Sequence, residues 1–369
     1  MVIGVPKEIK DNENRVAIVP AGINEFISKG HQVLIETNAG LGSGITNEEY
    51  QAAGAEIITS KPELFRRSEM ILKVKEPQPC EYELLREGQV LFTFLHLAAD
   101  LEMTKALLAR KIIGIAYETI QLKDGSLPVL APMSEIAGRM SIQIGAACLQ
   151  NDHGGQGVLL GGVPGVQRGM VTIIGGGLVG LNAAKMATGL GARVTILDTD
   201  LNRLRQLENI FGSRVTTLVS NYQNICQSVI SADLIICAVL IPAYRAPKLI
   251  DRSMVSQMKK GAVIVDVAID QGGCTENCKI TSHSHPTYVV DGVIHYCVPN
   301  IPGIVARTST FALTNVTLPY TINIAECGGI EKAAQENLAL ARGINLYRGQ
   351  VVHEGVAEAL ALPYHEMEL

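Results

Sequence analysis

Two series of short β-branched runs alternating with helical patterns predict an α/β protein; one fills the first third of the chain and the other begins at Val171. A joint at Lys123–Pro132, with two prolines and an Asp-Gly turn signal, separates them. The 369 residues also exceed the roughly 250–300 at which a single core stops growing, so two domains are expected. The architecture predicted is two doubly wound parallel-sheet domains.

In the first series Val2–Val5, Gln32–Glu36, Met70–Val74, Val90–Phe94 and Ile112–Tyr117 read as buried strands. Pro20–Lys29, Asn47–Ala53 and Leu101–Ala109 read as the helices between them. Ser134 is then expected to cap a helix running to about Leu149, its oxygen taking an unpaired backbone N–H. Gly154–Gly165 holds too much glycine for a helix and is expected to be loop or short strand. The second series has strand candidates at Val171–Ile174, Arg193–Leu197, Arg214–Val219, Leu234–Ala238, Val263–Asp266 and Tyr288–Val290. Its clearest helices are Leu178–Leu190 and Leu201–Phe211. The pattern turns helical again from Thr308, with Gly328–Gly343 expected as one long amphipathic helix. Those last helices are expected to pack back on the first domain and make it discontinuous. The predicted division is 1–128 plus 307–369 for one domain and 129–306 for the other, with the functional cleft between them.

Composition excludes several classes. Apolar residues are 47% and charged residues 18%, with mean hydropathy +0.22, which supports a packed core and argues against disorder. With 31 basic against 36 acidic residues the net charge is −5, which does not suit a nucleic-acid-binding chain. Aromatics are 4% and Trp is absent, so base-stacking platforms are not expected. The longest uncharged stretch, Thr308–Ala325, carries Pro319 and many Thr and Asn, and is not expected to span a membrane. The start has no basic segment followed by an apolar run, so no signal peptide is expected. Eight dispersed cysteines then read as reduced thiols in the cytoplasm.

The most informative local pattern is Gly175-x-Gly177-x-x-Gly180, set between an apolar strand and a helix. Gly175 suits a tight turn, Gly177 a close approach of backbone to pyrophosphate, and Gly180 close helix–strand packing. The helix start that follows offers N–H groups and a positive dipole end to phosphates. Asp198 ends the next strand eighteen residues past Gly180, where an acidic side chain hydrogen-bonds a ribose 2′-hydroxyl. A carboxylate repels a 2′-phosphate, so NAD is expected over NADP, and Arg203 and Arg205 are the residues that speak for NADP.

Outside that motif, Arg15, Lys75, His96 and Asp270 each lie at or just past the C-terminal end of an expected strand, where open α/β sheets bind ligands. The plain alternatives are a surface Arg, a surface Lys, a satisfied His and a helix-capping Asp. Cys274, Cys278, His283, His285, His295 and Cys297 have loosely ligand-like spacings. They lack the regular four-ligand set of structural zinc sites, so this stretch is read as loop and no metal is expected.

At this point the motifs carry a family resemblance. Ile3–Lys10, Glu13-Asn-Arg15-Val-Ala, Ala39–Gly44, Lys73-Val-Lys75-Glu-Pro, Phe94-Leu-His96-Leu-Ala and Tyr117-Glu-Thr-Ile are its first half. Pro132–Gly138, the glycine motif, Asp266–Gly273 and Pro299–Gly303 complete it. Over essentially its full length the chain resembles the L-alanine dehydrogenase family. The resemblance implies two Rossmann-like domains and reversible NAD-dependent deamination of L-alanine to pyruvate and ammonium. It implies that Arg15 and Lys75 bind substrate and that His96 and Asp270 are catalytic. It implies an NAD site lined by Ser134, Gly175, Gly177, Leu178, Val179, Gly180, Asp198, Arg203, Ser220, Val239, Leu240, Val267, Ala268, Ile269, Asp270, Asn300 and Ile301. It further implies a homo-oligomer, a hexamer. The sequence departs from the family at Ile241–Pro247, where relatives more often have small residues, and at Lys279, where they commonly have Arg. Three other readings share the architecture: the NAD-binding subunit of proton-translocating transhydrogenase, a saccharopine-type or other amino-acid dehydrogenase, and a silent NAD-binding structural subunit.

Overall fold

The computed structural model describes residues 1–239 and 246–367. They form two compact units, residues 1–133 with 303–369, and residues 134–302. In chain order the strands are β1 (Val2–Val5), β2 (Gln32–Glu36), β3 (Glu56–Ile58), β4 (Met70–Leu72), β5 (Val90–Thr93), β6 (Ile113–Ala116), β7 (Met170–Ile174) and β8 (Arg193–Asp198). They continue as β9 (Val215–Val219), β10 (Leu234–Cys237), β11 (Val263–Asp266), β12 (Thr287–Val290), β13 (Val293–Tyr296), β14 (Ile344–Tyr347) and β15 (Gln350–Val351).

The first unit holds one sheet in the order β15-β14-β6-β5-β4-β1-β2-β3. From β3 to β6 every pairing is parallel, while β14 runs antiparallel to β6 and to β15. Strands β4, β5 and β6 are buried at every position, as parallel strands covered on both faces must be. The chain winds outward from β1 to β3, then returns and winds the other way from β4 to β6. The reversal puts a topological switch point between β1 and β4, the place where such sheets bind ligands.

The second unit repeats the plan, in the order β12-β13-β11-β10-β7-β8-β9. Only β12–β13 is antiparallel, and the switch point lies between β7 and β10. The helix Leu178–Gly189 lays Ala183, Ala184 and Ala187 into the core beside Ile173 and Leu234. Gly138 and Gly145 bring the helix Ala131–Cys148 close to its neighbours. A Cβ on Gly138 would lie 2.2 Å from the Val179 carbonyl oxygen, and one on Gly145 2.4 Å from Leu234.

Two helical expectations are corrected. Ser134 does not cap its helix, which begins three residues earlier at Ala131. Pro132 explains the earlier start, since a first-turn proline gives up an N–H that has no helical partner. Nor is Gly328–Gly343 one helix. It divides into Ile330–Glu336 and Leu338–Gly343 at Asn337, whose side chain caps the second piece through the Ala339 and Leu340 N–H groups. The preceding helix, Ala306–Cys327, has Pro319 inside it and ends at Gly328 in the left-handed region. No helix among the described residues is long and apolar enough to cross a membrane.

Beneath the β1/β4 switch point lies a buried ionic cluster. The Lys73 ammonium, with its side chain wholly inaccessible, is 3.0 Å from Glu8 Oε2 and 3.3 Å from Glu81. Burial alone would lower the Lys73 pKa, but the two carboxylates outweigh it and hold it above the ordinary lysine value. Removing one partner from such a cluster leaves uncompensated buried charge, at about 3–5 kcal/mol. Lys73→Ala is therefore expected to lose about that much stability, read from the urea unfolding midpoint. A loss of under about 1 kcal/mol, the range of an exposed pair, would show that the cluster carries little.

Candidate functional site

Four adjacent parallel strands of the first sheet, β1, β4, β5 and β6, each deliver a charged or titratable group at their C-terminal ends. The segment after β1 carries Glu8, Glu13 and Arg15, that after β4 Lys75, that after β5 His96, and that after β6 Glu118.

Arg15 is 2% exposed, so its charge needs a partner inside the protein. Glu13 supplies it with a two-point contact, Nε donating to Oε1 at 2.7 Å and Nη2 to Oε2 at 2.5 Å. Nη1 reaches Met133 Sδ at 3.3 Å. Burial pushes the Glu13 carboxyl up, but the Arg15 hydrogen bonds and charge outweigh it, with the Lys75 charge adding to them, and hold Glu13 below the ordinary value. Arg15 and Lys75 thus act on the same carboxylate. The Lys75 backbone is fixed on both sides. Its N–H donates to Glu8 Oε1 at 3.3 Å, and its carbonyl accepts from Thr93 Oγ1 at 3.0 Å.

His96 sits in the left-handed region at φ +49°, a conformation that costs a non-glycine residue about 1–3 kcal/mol and is common at active sites. Glu118 holds it there. One Glu118 oxygen accepts the His96 backbone N–H at 2.6 Å, and both accept from Leu95 at 3.3 Å. The same carboxylate lies 3.7 Å from His96 Nδ1. The imidazole stacks on Phe94 with 5.8 Å between centroids, and its side chain stays 47% exposed. Glu13 and Glu118 were inside motifs noted in the sequence but carried no role there. Glu118 directly follows the expected strand Ile112–Tyr117, whereas Glu13 lies eight residues past the first strand and carries no such signal.

In the second unit the glycine loop leaves β7 at the switch point. Gly175 has φ +101°, and a Cβ there would lie 2.7 Å from the Ala238 carbonyl oxygen, so only glycine fits. A Cβ on Gly180 would lie 1.9 Å from the Gly175 carbonyl oxygen. A Cβ on Gly177, by contrast, meets nothing within 4 Å, and this residue begins the helix Leu178–Gly189 with no side-chain cap. Asp198 Oδ2 accepts the Gly176 N–H at 2.6 Å, while Oδ1 accepts that of Asp200 at 2.9 Å. Arg203 closes the loop from the other side, with Nε on the Gly176 carbonyl at 2.5 Å and Nη2 on that of Gly177 at 3.4 Å. Arg205 points elsewhere, to Asn202.

The remaining predicted residues follow the same sheet edge. Ser220 follows β9 and donates its backbone N–H to the Asp198 carbonyl at 2.9 Å. Val239 follows β10, and Leu240 lies outside the described residues, as do 241–245. Val267, Ala268, Ile269 and Asp270 form the 3-10 turn Val267–Gln271 after β11, and Asp270 is exposed on it. Asp266 caps that turn, Oδ1 accepting from Ala268 at 3.1 Å and Oδ2 from Cys274 at 2.8 Å. Burial pushes the Asp266 carboxyl up to about 6. Asn300 and Ile301 follow β13, with Asn300 in the left-handed region at φ +59°. Ser134 lies in the first turns of Ala131–Cys148. Lys279 sits 5.7 Å over the Tyr288 ring. A cavity of about 390 Å³ lies at the opposite, N-terminal edge of β7–β9, lined by Thr172, Arg193, Thr195 and Arg214, and contains none of these residues.

An open backbone cradle at Gly177, an uncapped helix start beside it and a carboxylate on the next strand fit an adenine dinucleotide. Arg203 is already committed to loop carbonyls, which weakens the case for a 2′-phosphate.

Comparison with known proteins agrees with this geometry. Residues 4–137 match the model of the alanine dehydrogenase/PNT N-terminal domain, and residues 141–354 that of its C-terminal domain. The alanine dehydrogenase of Methanococcus maripaludis is 60% identical over all of this chain and 99% of its own length. That of Bacillus subtilis is 58% identical over 99% of this chain and 96% of its own. A solved L-alanine dehydrogenase superposes with TM-score 0.95 at 52% identity, covering 98% of this chain and 99% of the other. A transhydrogenase from Sinorhizobium meliloti shares the fold, with TM-score 0.82 at 24% identity over 96% of this chain and 99% of that one. By these matches and by the motifs they span, the chain belongs to the alanine dehydrogenase/PNT family.

Proposed function

We propose that the chain is an NAD-dependent L-alanine dehydrogenase, interconverting L-alanine with pyruvate and ammonium. The observation that carries this reading is the charge pattern at the β1/β4 switch point: Arg15 and Lys75 share Glu13, and His96 stands one strand away. A substrate with one carboxylate and one carbonyl or amine matches that pattern. In this reading 1–128 plus 307–369 is the substrate domain and 129–306 the NAD-binding domain. Ser134, the loop Gly175–Gly180, Asp198, Arg203, Ser220, Val239, Leu240, Val267–Asp270, Asn300 and Ile301 hold the dinucleotide.

Glu13 fixes the plane of the Arg15 guanidinium through Nε and Nη2, and in this reading the guanidinium pairs with the substrate carboxylate. Lys75 Nζ polarises the carbonyl oxygen of pyruvate as a point charge. With His96 Nδ1 turned toward Glu118, Nε2 is the atom that carries protons to and from the substrate oxygen and amine. Asp270, exposed on its turn, holds ammonium or the attacking water through its carboxylate oxygens. When bound, NAD supplies the hydride acceptor, the C4 position of its nicotinamide. The same reading places the protein in the cytoplasm, supported by eight unpaired thiols, and as a homo-oligomer, a hexamer by family resemblance.

Purified protein given NADH, ammonium and pyruvate is expected to consume NADH. Consumption only with lysine and 2-oxoglutarate would favour the saccharopine-type reading, and consumption only with a second nicotinamide nucleotide the transhydrogenase one. His96→Ala and Asp270→Asn are each expected to lower kcat by about 10²–10⁴-fold while NADH binding, followed by fluorescence titration, persists. Near-normal turnover in either variant removes that residue from the chemistry. Asp198→Ala is expected to lower kcat/KM for NAD by about 10–100-fold, the scale of a lost charged hydrogen bond, and to narrow the preference over NADP. An unchanged NAD/NADP ratio would refute the role given to Asp198.

A further inference from the structure

Beside the proposed cofactor edge, parallel pairing brings three soft or anionic donors together. Cys237 ends β10 and is the register partner of Asp266 at the end of β11. Cys274 returns over them from the segment after the turn Val267–Gln271, with its own N–H on Asp266 Oδ2. Cys237 Sγ, Cys274 Sγ and an Asp266 oxygen all lie within 4.8 Å of one another, and all three residues are fully buried. Tetrahedral zinc sites, with metal–sulfur bonds of about 2.3 Å, set their donors about 3.5–3.8 Å apart, so the trio is within a small side-chain adjustment of that spacing.

We propose that Cys237, Asp266 and Cys274 form a capture site for a thiophilic divalent cation of the zinc class. Two thiolates and one carboxylate select such ions over magnesium or calcium. Binding exchanges two thiol protons for one doubly charged cation, so the buried cluster gains no net charge and the released protons pass to solvent. Three protein donors leave a fourth position for water. Thr275, adjacent to Cys274 and fully buried, has an Oγ1 with no partner among the described residues, so polar capacity for that water exists nearby. Asp266 also caps the turn that carries Asp270. Because all three donors are buried, capture requires local opening of the structure around them, and binding is slow.

The test uses the full-length chain, reduced and stripped of metal, titrated with Cd²⁺ without substrate or nucleotide. One Cd²⁺ is expected to be retained per chain on dialysis, with a slowly developing thiolate-to-cadmium ultraviolet band and a raised Tm. Cys237→Ser and Cys274→Ser should each abolish the band and the Tm rise. Cys80→Ser, which changes an exposed thiol, should keep both. Absence of the band in the unaltered chain overturns the proposal, as does its survival in both buried-site variants or its loss in Cys80→Ser. Because no substrate is present, these outcomes are independent of whether the chain deaminates alanine.

Discussion

A guanidinium with 2% exposure persists only if a carboxylate goes inside with it, and the Arg15–Glu13 pair meets that requirement at the β1/β4 switch point. The constraint reaches well beyond the pair. Glu13 fixes the plane of the guanidinium by contacting it at two points. Glu8, one turn of chain earlier, ties the backbone of Val74 and Lys75 to the same region while pairing with Lys73. The Arg15 and Lys73 side chains are therefore held by neighbouring carboxylates. Under the proposed function, charge preorganised in this way needs no rearrangement when a substrate carboxylate enters, which is where electrostatic catalysis gains over water.

His96 shows the same logic applied to strain. A left-handed histidine is unfavourable alone, yet Glu118 accepts two successive backbone N–H groups across the bend, and Phe94 stacks on the ring. Tyr117 in turn packs edge-on against Phe92 and Phe94. The residue that follows β6 thus shapes the bend that follows β5, and the aromatic packing beneath it stops the loop from relaxing. An exposed imidazole on a rigid bend suits a proton carrier better than one on a free loop.

Much of the fold was legible because buried parallel strands are short continuous apolar runs, and β1, β2 and β11 have the limits expected from sequence. What escaped were elements set by tertiary context. The three-residue β3 and the antiparallel pair β14–β15 have too little pattern to stand out. Asn337 reads as an ordinary polar position until its side chain is seen capping the next helix. In the candidate site, strand-end positions could be read for Arg15, Lys75, His96 and Asp270, because each follows an apolar run. Their carboxylate companions could not, since Glu118 meets His96 only through the pairing of β5 with β6. Cys237 and Asp266 are likewise far apart in the chain and become neighbours only through register.

Asp198 and Asp266 show how environment divides one chemistry into two jobs. Each ends a parallel strand, and each accepts backbone N–H groups from the turn that follows. Asp198 remains half-buried. Asp266 is fully buried, and desolvation raises it to about 6 despite its backbone donors. Under the proposed function, a carboxylate that reads a hydroxyl has to be accessible to it. One that only holds a turn can be sealed inside, where its remaining demand is for a cation or a proton. The same strand-end carboxylate is thus the proposed ligand reader on β8 and a structural anchor on β11, where Asp266 caps the turn bearing Asp270.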